Sequence, residues 1–409
     1  MNKFINKILA NLKQAQTKIL LSYARIQFAR SIHGNTKTKH YKIIADAEQA
    51  LKNKEIYESE AAYSASSDLL VKQGHALKKQ VENEFRNKYA EKNNERIMIH
   101  VPAPEYSPAG YSLLTNLAEC LSFMGIPTHM LGWNDSTEVA IKEFKPTLLL
   151  TSDHASYLER IEWNVINKYR ESSNLKIGLS ASLAEYGNTP LAQRLEWAKR
   201  QKINFYYSYR DEGYVNNRAE YNPFIESGFQ IMYLPFGANI LHYYPVAGFE
   251  RDIDFVLIAS KKREHAVFMK GVVNRSNGFI DGPGWKHATH FSFNKDRDRY
   301  IYARAKVGLN VHLPEQIDWA CEVNERTYQL AACGVPEVID HPKLLDKIFS
   351  KNAMFVADTP KQFEEHFRSI IKNPKIGQER ALLAQREVFS KHTTFHRAES
   401  FLLQINALH

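Results

Sequence analysis

From residue 96 onwards, short apolar runs alternate with amphipathic stretches that have helical periodicity. A strand that is apolar throughout is buried on both faces, and a helix between two such strands keeps them parallel. The alternation therefore predicts the α/β class, with doubly wound parallel sheets covered by helices. The predicted strands are 97–101, 128–131, 147–151, 176–180, 205–209 and 230–234, followed by 255–259, 278–280, 307–311, 336–339 and 353–356.

Two such sheets are expected, because a segment with two prolines and two glycines, 235–251, separates the strand sets. The length of 409 residues fits two or three domains. We expect a helical extension over 1–95, a Rossmann-like domain over 96–240 and a second one over 241–409. Ligands bind at the carboxyl ends of the strands in sheets of this kind, so the cleft between the two domains is the expected site.

The positive charge of the chain is concentrated near its start. The formal net charge is +9, and residues 1–45 hold nine Lys or Arg and no acid, so the remainder is neutral. Nucleic acid is therefore not an expected partner of the chain as a whole, although binding through 1–45 stays open. Residues 1–32 predict a basic amphipathic helix, which suits either an anionic membrane surface or docking on its own domain or a second subunit.

The sequence predicts a cytoplasmic protein. No apolar run reaches the roughly 18–20 residues of a membrane span. The first residues lack the order of a signal peptide. The three cysteines show neither a disulfide framework nor metal-ligand spacing. The basic helix would place the protein peripherally on the inner face of the membrane.

The stretch 324–336, Asn-Glu-Arg-Thr-Tyr-Gln-Leu-Ala-Ala-Cys-Gly-Val-Pro, predicts an anion site. Asn324 can cap a helix and Gly334 can end it in a left-handed turn. A helix N-terminus that faces a cleft offers unpaired N–H groups to a phosphate, and Arg326 adds a guanidinium fork. Taken alone, the pattern also fits an ordinary helix with a glycine cap.

The same stretch, Arg-Thr-Tyr-Gln-x-x-x-Cys-Gly, resembles the Arg-x-Phe-Glu-x-x-x-Cys-Gly block of glycosyltransferases with the GT-B fold. The pattern is most similar to the CgeB-type and group 1 families. Four further segments resemble blocks of the family in the right order: 233–239, 251–260, 281–285 (Asp-Gly-Pro-Gly-Trp) and 305–311. The resemblance covers residues 230–400 well and 96–230 in outline.

The resemblance implies an enzyme that moves a sugar from a nucleotide-sugar to a saccharide, a glycolipid or other lipid-linked glycan, or a protein acceptor. The donor would be UDP-, GDP- or CMP-linked. No metal is expected, because cationic side chains can offset the charge of the leaving diphosphate; Asp252 and Asp254 have metal-motif spacing but open a predicted strand. The donor-site residues carried over by position are Arg263 as a diphosphate clamp, Gly282, Trp285, Asn310, Asn324, Arg326, Thr327 and Gln329.

Gln329 departs from the family, which often has Glu at this position. An amide oxygen accepts hydrogen bonds from ribose hydroxyls more weakly than a carboxylate does. Glu322 and Glu325 lie near but out of register, and Glu325 equally fits a solvated helix residue. The departure keeps open a protein of another class, a non-catalytic GT-B-like protein that binds a nucleotide or glycan or serves as a scaffold.

A catalytic base is needed if the transfer inverts the anomeric configuration. Asp153 and His154 are the first candidates, because they directly follow a predicted strand at the edge of the cleft. Asp211 is another, since Asp211-Glu-Gly and the later His341-Pro resemble motifs of bacterial sialyltransferases, which would imply a CMP-linked donor. Further candidates at strand ends are His100 and Glu185.

Overall fold

The computed structural model describes residues 37–182, 189–273, 276–285, 294–318 and 322–407. The helix predicted over 1–32 and the candidate Glu185 lie outside this part of the chain. Among the described helices, none combines the length and the apolar character that a bilayer crossing requires.

Among the described residues, four helices precede the first strand. Ile43, Ala47 and Ala50, which lie at helical spacing in the sequence, are buried on one face of the first helix. Asp68 caps the fourth helix, because its side chain accepts a hydrogen bond from the backbone N–H of Leu70 (2.8 Å). The helices are α1 (Lys37–Lys52), α2 (Lys54–Glu58), α3 (Glu60–Ala65) and α4 (Leu69–Phe85).

The first sheet has six parallel strands. Its strands and helices follow the predicted alternation. The inner strands are almost wholly buried because helices cover both faces, whereas the two edge strands are partly exposed. The elements are β1 (Ile97–Val101), α5 (Pro108–Phe123), β2 (Thr128–Gly132), α6 (Thr137–Phe144), β3 (Leu148–Ser152), α7 (Ala155–Leu158), α8 (Trp163–Arg170), β4 (Lys176–Ser180), α9 (Leu191–Arg200), β5 (Phe205–Ser208), α10 (Glu212–Asn216), a 3₁₀ turn (Ala219–Tyr221), α11 (Asn222–Ser227) and β6 (Ile231–Tyr233).

The second sheet has five parallel strands and repeats the same pattern. Its strands carry an apolar run each, and its helices place their apolar faces on the sheet. The elements are β7 (Ile253–Ile258), α12 (Arg263–Phe268), α13 (Lys270–Val273), β8 (Gly278–Asp281), α14 (Lys295–Ala303), β9 (Ala305–Asn310), α15 (Pro314–Asp318), α16 (Glu325–Ala332), β10 (Glu337–Asp340), α17 (Leu345–Ile348), β11 (Phe355–Ala357), α18 (Pro360–Lys372), α19 (Pro374–Lys391) and α20 (Thr394–Asn406).

The strand orders are β2-β1-β3-β4-β5-β6 and β11-β10-β9-β7-β8. In each sheet the first strand lies between the second and the third. The order in which successive strands are added therefore changes direction between β1 and β3 in the first sheet and between β7 and β9 in the second. A crevice opens at the carboxyl ends of the strands where such a reversal occurs. The predicted fold class, two doubly wound parallel sheets after an α-helical extension, is confirmed.

Each end of the described chain packs on the half of the molecule that is distant from it in sequence. α20 lies against the first sheet, where Gln404 bonds both the N–H and the carbonyl of Tyr233 (2.9 and 3.1 Å). α4 lies against α19, and Gln73 donates to the Leu382 carbonyl (2.9 Å). α1 likewise packs on α14. The apolar core of the first sheet is therefore continuous with residues of α20 and of the helical extension.

Candidate functional site

A cavity of about 300 Å³ lies between the two sheets at the carboxyl end of β7. It is next to the point between β7 and β9 where the strand order changes direction. One wall is formed by the end of β7, the loop after β8 and the first turn of α16. The opposite wall is formed by the first turns of α5, and α14 closes one side. The cavity has the size and the position expected of a ligand site in this class of fold.

The N-terminus of α16 is held toward the cavity by a buried chain of hydrogen bonds. Asn324 caps the helix, since its side-chain oxygen accepts from the backbone N–H of Thr327 (3.3 Å). His312 Nε2 accepts from the backbone N–H of Asn324 (3.1 Å), so Nδ1 carries the proton and donates to Asp340 Oδ1 (2.6 Å). His312 and Asp340 are fully buried, and this pair therefore positions the helix rather than meeting a ligand.

Arg326 lines the cavity with its charge uncompensated by any described carboxylate at ion-pair distance. Its Nη1 donates to Asn310 Oδ1 (2.6 Å) and its Nε donates to the Ile258 carbonyl (3.1 Å). Both acceptors are neutral, so they orient the guanidinium and leave its charge intact. Among the described residues, none accepts a hydrogen bond from Nη2, which is therefore free for an anion in the cavity.

Lys262 is a second cation on the same cavity, and the sequence did not indicate it. Burial, and then the charge of Arg326, lowers the pKa of Lys262 to about 8. The neighbouring Arg263, the expected diphosphate clamp, is an exposed side chain that does not line this cavity. Helix α12 begins one residue after Lys262, so the two side chains leave the backbone in different directions.

The loop after β8 brings backbone into the cavity wall. Gly282 has a φ of +120°, and a Cβ placed there would lie 2.4 Å from the Ala259 carbonyl oxygen, so only glycine fits. Trp285 lies behind the wall, where its Nε1 donates to the same Ala259 carbonyl (2.7 Å). The Gly-Pro-Gly-Trp turn thus shapes the cavity through Gly282 and supports it through Trp285.

Asn310 and Thr327 form a layer beneath Arg326. Asn310 Nδ2 donates to Thr327 Oγ1 (2.7 Å) and to Glu337 Oε1 (2.8 Å). Burial raises the pKa of Glu337 to about 7. The structure therefore brings Gly282, Asn324, Arg326 and Gln329 to the cavity, places Trp285, Asn310 and Thr327 behind its wall, and leaves Arg263 outside.

Glu325 is not the solvated helix residue that its sequence position allowed. Its carboxylate accepts hydrogen bonds from Ser112 Oγ (3.1 Å) and Asn116 Nδ2 (2.6 Å), both on α5. Burial raises the pKa of Glu325, although its hydrogen bonds with Ser112 and Asn116 oppose the shift. This contact ties α16 to the first sheet directly across the cavity.

α14 contributes a buried ion pair that sequence reasoning missed. Arg297 donates from Nε (3.0 Å) and Nη2 (2.6 Å) to a single oxygen of Asp298, Oδ1. Burial raises the pKa of Asp298 to about 6, although Arg297 opposes the shift. Both side chains and Tyr302 line the cavity on the side that α14 closes. A run of five charged residues, 295–299, usually indicates a solvent-exposed turn, so the sequence held no signal for this placement.

The residues predicted as a catalytic base are spread over the first sheet. Asp153 is buried, with its carboxylate bound to Arg194 Nη1 (2.6 Å) and to the backbone N–H of Ser182 (2.7 Å). His154 caps α7 through a hydrogen bond from the N–H of Ser156 (3.3 Å). Neither side chain lines this cavity or the cavity at the carboxyl ends of β5 and β6. His100 is fully buried, and burial lowers its pKa to about 4.

A second cavity of about 330 Å³ adjoins the first at the carboxyl ends of β5 and β6. The two cavities share Phe236 and Glu322 in their walls. Asp211 lines the second cavity and also caps α10, through a hydrogen bond from the N–H of Gly213 (3.0 Å). His341 lies elsewhere, between Asp346 and Asp358 on the surface of the second sheet. The structure therefore does not bring Asp211 and His341 into one of these cavities.

Asp252 and Asp254 lie at the amino end of β7, away from the cavity at its carboxyl end. Asp252 forms two hydrogen bonds with Arg304 (2.9 and 2.6 Å), and Asp254 forms one with Lys306 (2.8 Å). Their spacing thus serves the packing of β7 against β9. Within the described ranges, no three His, Cys, Asp or Glu side chains are arranged to hold a metal ion.

Residues 257–403 match a family model described as glycosyl transferase-like. Three solved structures with similar folds are a glycosyltransferase from Rickettsia africae (TM-score 0.53, 10% identity, covering 77% of this chain and 99% of that chain), a mutant of phage T4 BGT in complex with UDP-glucose (0.52, 11%, 76% and 99%), and sucrose-phosphate synthase from Thermosynechococcus elongatus (0.51, 12%, 76% and 99%). At these identities the likeness concerns the fold alone. No curated protein matches the chain in sequence.

Proposed function

We propose that this protein, whose resemblance to glycosyltransferases of the GT-B fold is confirmed by the family match and by the fold, transfers a sugar from a nucleotide-sugar donor. The observation that carries the proposal is the pair of cations in the cavity, Lys262 and Arg326, beside the N-terminus of α16. Unpaired cations and helix N–H groups together favour a diphosphate.

The two cations also suit the chemistry of transfer. When the sugar leaves the nucleotide, negative charge grows on the departing diphosphate, and preorganised cations lower the barrier by offsetting that charge. A UDP-linked hexose is the first donor to test, because the T4 phage neighbour is in complex with UDP-glucose; GDP- and CMP-linked donors belong in the same test. We expect transfer to continue in the presence of a chelator, since Lys262 and Arg326 supply the positive charge that a metal would otherwise supply.

The second cavity is our proposed acceptor side. It opens next to the donor cavity at Phe236 and Glu322, so an acceptor bound there would lie near the donor sugar. Asp211 lines it, which favours Asp211 over Asp153 and His154 as the group that takes the proton from an acceptor hydroxyl. A saccharide, a lipid-linked glycan and a protein side chain remain the acceptor classes to test.

One observation favours the alternative of a non-catalytic GT-B-like protein. Gln329 lines the cavity at the position where the family often has Glu, so it lacks the charge of the family residue. Such a protein would bind a nucleotide or glycan without transfer. The expected membrane contact of residues 1–32 and the cytoplasmic location concern features outside the described structure and stay predictions.

The test is a thermal-shift panel with UDP, GDP, CMP and their common sugars, followed by assays of donor hydrolysis and transfer. A ligand that binds only the folded state raises the melting temperature. Arg326→Ala should weaken nucleotide binding about 10- to 100-fold, the size of a charge-assisted hydrogen bond. The matched control is Arg368→Ala, an exposed arginine on α18 that pairs with Glu364.

The outcomes separate the two candidate functions. Binding with release or transfer of the sugar supports the enzyme. Binding without any turnover, tested across the acceptor classes, supports the non-catalytic protein. A folded chain that none of these nucleotides stabilises would contradict both proposals for the cavity.

A further inference from the structure

We propose that Asp298 binds the ribose hydroxyls of the donor nucleotide, so that ribose recognition in this chain lies on α14. The inference rests on the proposed function, since it requires that a nucleoside diphosphate occupies the cavity. It goes beyond that function by assigning a ligand contact to a residue outside the motif that resembles the family.

One carboxylate oxygen of Asp298 has no partner among the described residues. Arg297 occupies Oδ1 with both of its hydrogen bonds, and no described residue donates to Oδ2. The side chain lines the cavity with 11% of its surface exposed. Arg297 thereby fixes the carboxylate in one orientation, with one oxygen held and the other directed to whatever fills the cavity.

The other acids that line the cavity contact protein groups. Glu325 uses both oxygens on Ser112 and Asn116 of α5. Asp281 accepts from the backbone N–H of Gly282 (2.9 Å) and lies 3.6 Å from Arg297. Glu322 accepts from Gln316 and pairs with Arg210. Glu325 is therefore fully engaged. The second oxygens of Asp281 and Glu322 each face an arginine, at 3.6 and 3.7 Å. Oδ2 of Asp298 has no such partner among the described residues.

Asp298 and Tyr302 lie on the same face of α14. Asp298 and Tyr302 are one helical turn apart, which places their Cβ atoms roughly 5–6 Å from each other on one face. Tyr302 lines the same cavity as Arg326. In a nucleoside diphosphate the ribose directly follows the phosphates. A diphosphate held at Arg326 and Lys262 therefore brings the ribose to the side of the cavity that α14 closes.

The chemistry of the contact fits a diol. A carboxylate oxygen has two lone pairs and can accept from two adjacent hydroxyls, and it does so more strongly than an amide oxygen. Gln329, which occupies the family's position for this contact, carries a neutral amide. Asp298 thus supplies the charged acceptor that the substitution at position 329 removes.

The experiment compares the affinity of each variant for UDP and for 2′-deoxy-UDP by calorimetry. The wild-type chain should bind UDP about tenfold or more tightly than its deoxy analogue, because a hydrogen bond to a charged acceptor is lost. In Asp298→Asn that ratio should fall to about twofold, since a neutral amide oxygen is the weaker acceptor. Asp296→Asn, on the same helix but paired with His242 outside the cavity, should keep the wild-type ratio.

The alternative assignment is tested by Gln329→Leu. If that variant loses the discrimination and Asp298→Asn keeps it, the proposal is overturned. If Asp298→Asn does not fold, Asp298→Ser serves in its place. A wild-type chain that binds UDP and its deoxy analogue equally overturns this inference alone. A wild-type chain that binds none of the nucleotides overturns the proposed function and this inference with it.

Discussion

Lys262 shows how one side chain sets the conditions under which the cavity attracts an anion. It lies beside Arg326 in a partly buried site, where burial and the neighbouring charge both disfavour its protonated form. Arg326 stays cationic at any ordinary pH, since guanidinium groups do not lose their proton in proteins. Titration of the pair near neutrality therefore belongs to Lys262.

The affinity for a nucleoside diphosphate should consequently decrease at alkaline pH. Lys262 loses its proton as the pH rises through about 8, and a diphosphate binds the protonated form more tightly. Affinity measured by calorimetry should change little between pH 7 and 7.5 and fall above pH 8, by at most about tenfold per pH unit. In Lys262→Met this decrease should be absent. An unchanged decrease in Lys262→Met would contradict the assignment of this titration to Lys262.

Glu337 provides a prediction about stability. Burial raises the pKa of Glu337 in the folded chain to about 7 from its ordinary value of 4.5, so the unfolded chain binds fewer protons than the folded one between these pH values. The free energy of unfolding therefore falls as the pH rises from about 4.5 to 7, and the full cost is present above pH 7. Glu337→Gln should raise the unfolding free energy by about 1–3 kcal/mol at pH 8.

Denaturation with urea at pH 8 and at pH 5 measures the effect, which should be small at pH 5. The matched control is Glu379→Gln, an exposed glutamate on α19. A stabilisation of the same size at both pH values would contradict the ionisation argument.

The loop after β8 has no room for a side chain at Gly282. Gly282→Ala should strain the backbone and also push a methyl group against the Ala259 carbonyl at the end of β7. We expect a loss of more than about 2 kcal/mol in unfolding free energy together with weaker nucleotide binding. Gly228→Ala is the matched control, because Gly228 also has a positive φ (+76°) but nothing within 4 Å of the added Cβ. It should lose about 1 kcal/mol and keep nucleotide binding; equal losses in both variants would contradict the steric argument.

The elements differ in how far the sequence predicts them. The start and the end of α16 could be predicted, because a cap at Asn324 and a left-handed turn at Gly334 (φ +69°) are local signals. Asp298 could not, because a charged turn looks the same in sequence whether it faces solvent or another helix. Lys262 was missed for a related reason: the direction of a side chain between a strand and a helix changes completely over one residue, and only the packed structure decides it.

Across the whole molecule, α20 joins the two sheets into one unit. Phe401 lies in the core of the first sheet, with its ring centre 5.5 Å from that of Tyr207 and 6.4 Å from that of Phe205. Glu58 of the helical extension accepts from Tyr244 (2.7 Å) and pairs with Arg299 of α14. These contacts join α20 to the first sheet and the helical extension to α14 of the second, so unfolding of one part removes support from the others.

Phe401→Ala should therefore lower the stability of the whole chain. We expect a loss of about 3–5 kcal/mol, typical of a buried phenylalanine replaced by alanine, and a single calorimetric transition that moves to lower temperature. Leu403→Ala, an exposed residue of the same helix (59%), should change little. Two separate transitions, of which Phe401→Ala moves only one, would contradict the view of a single unit.

The route of the chain has a consequence for its biosynthesis. The face of the first sheet that receives α20 includes Phe205, Tyr207 and Met232, all without solvent exposure in the folded protein. On the ribosome these residues are made before the entire second sheet, and their cover is made after it. The nascent chain thus carries an open apolar face throughout the synthesis of its second half, and over that interval the face is exposed to aggregation and to chaperones that bind apolar surface.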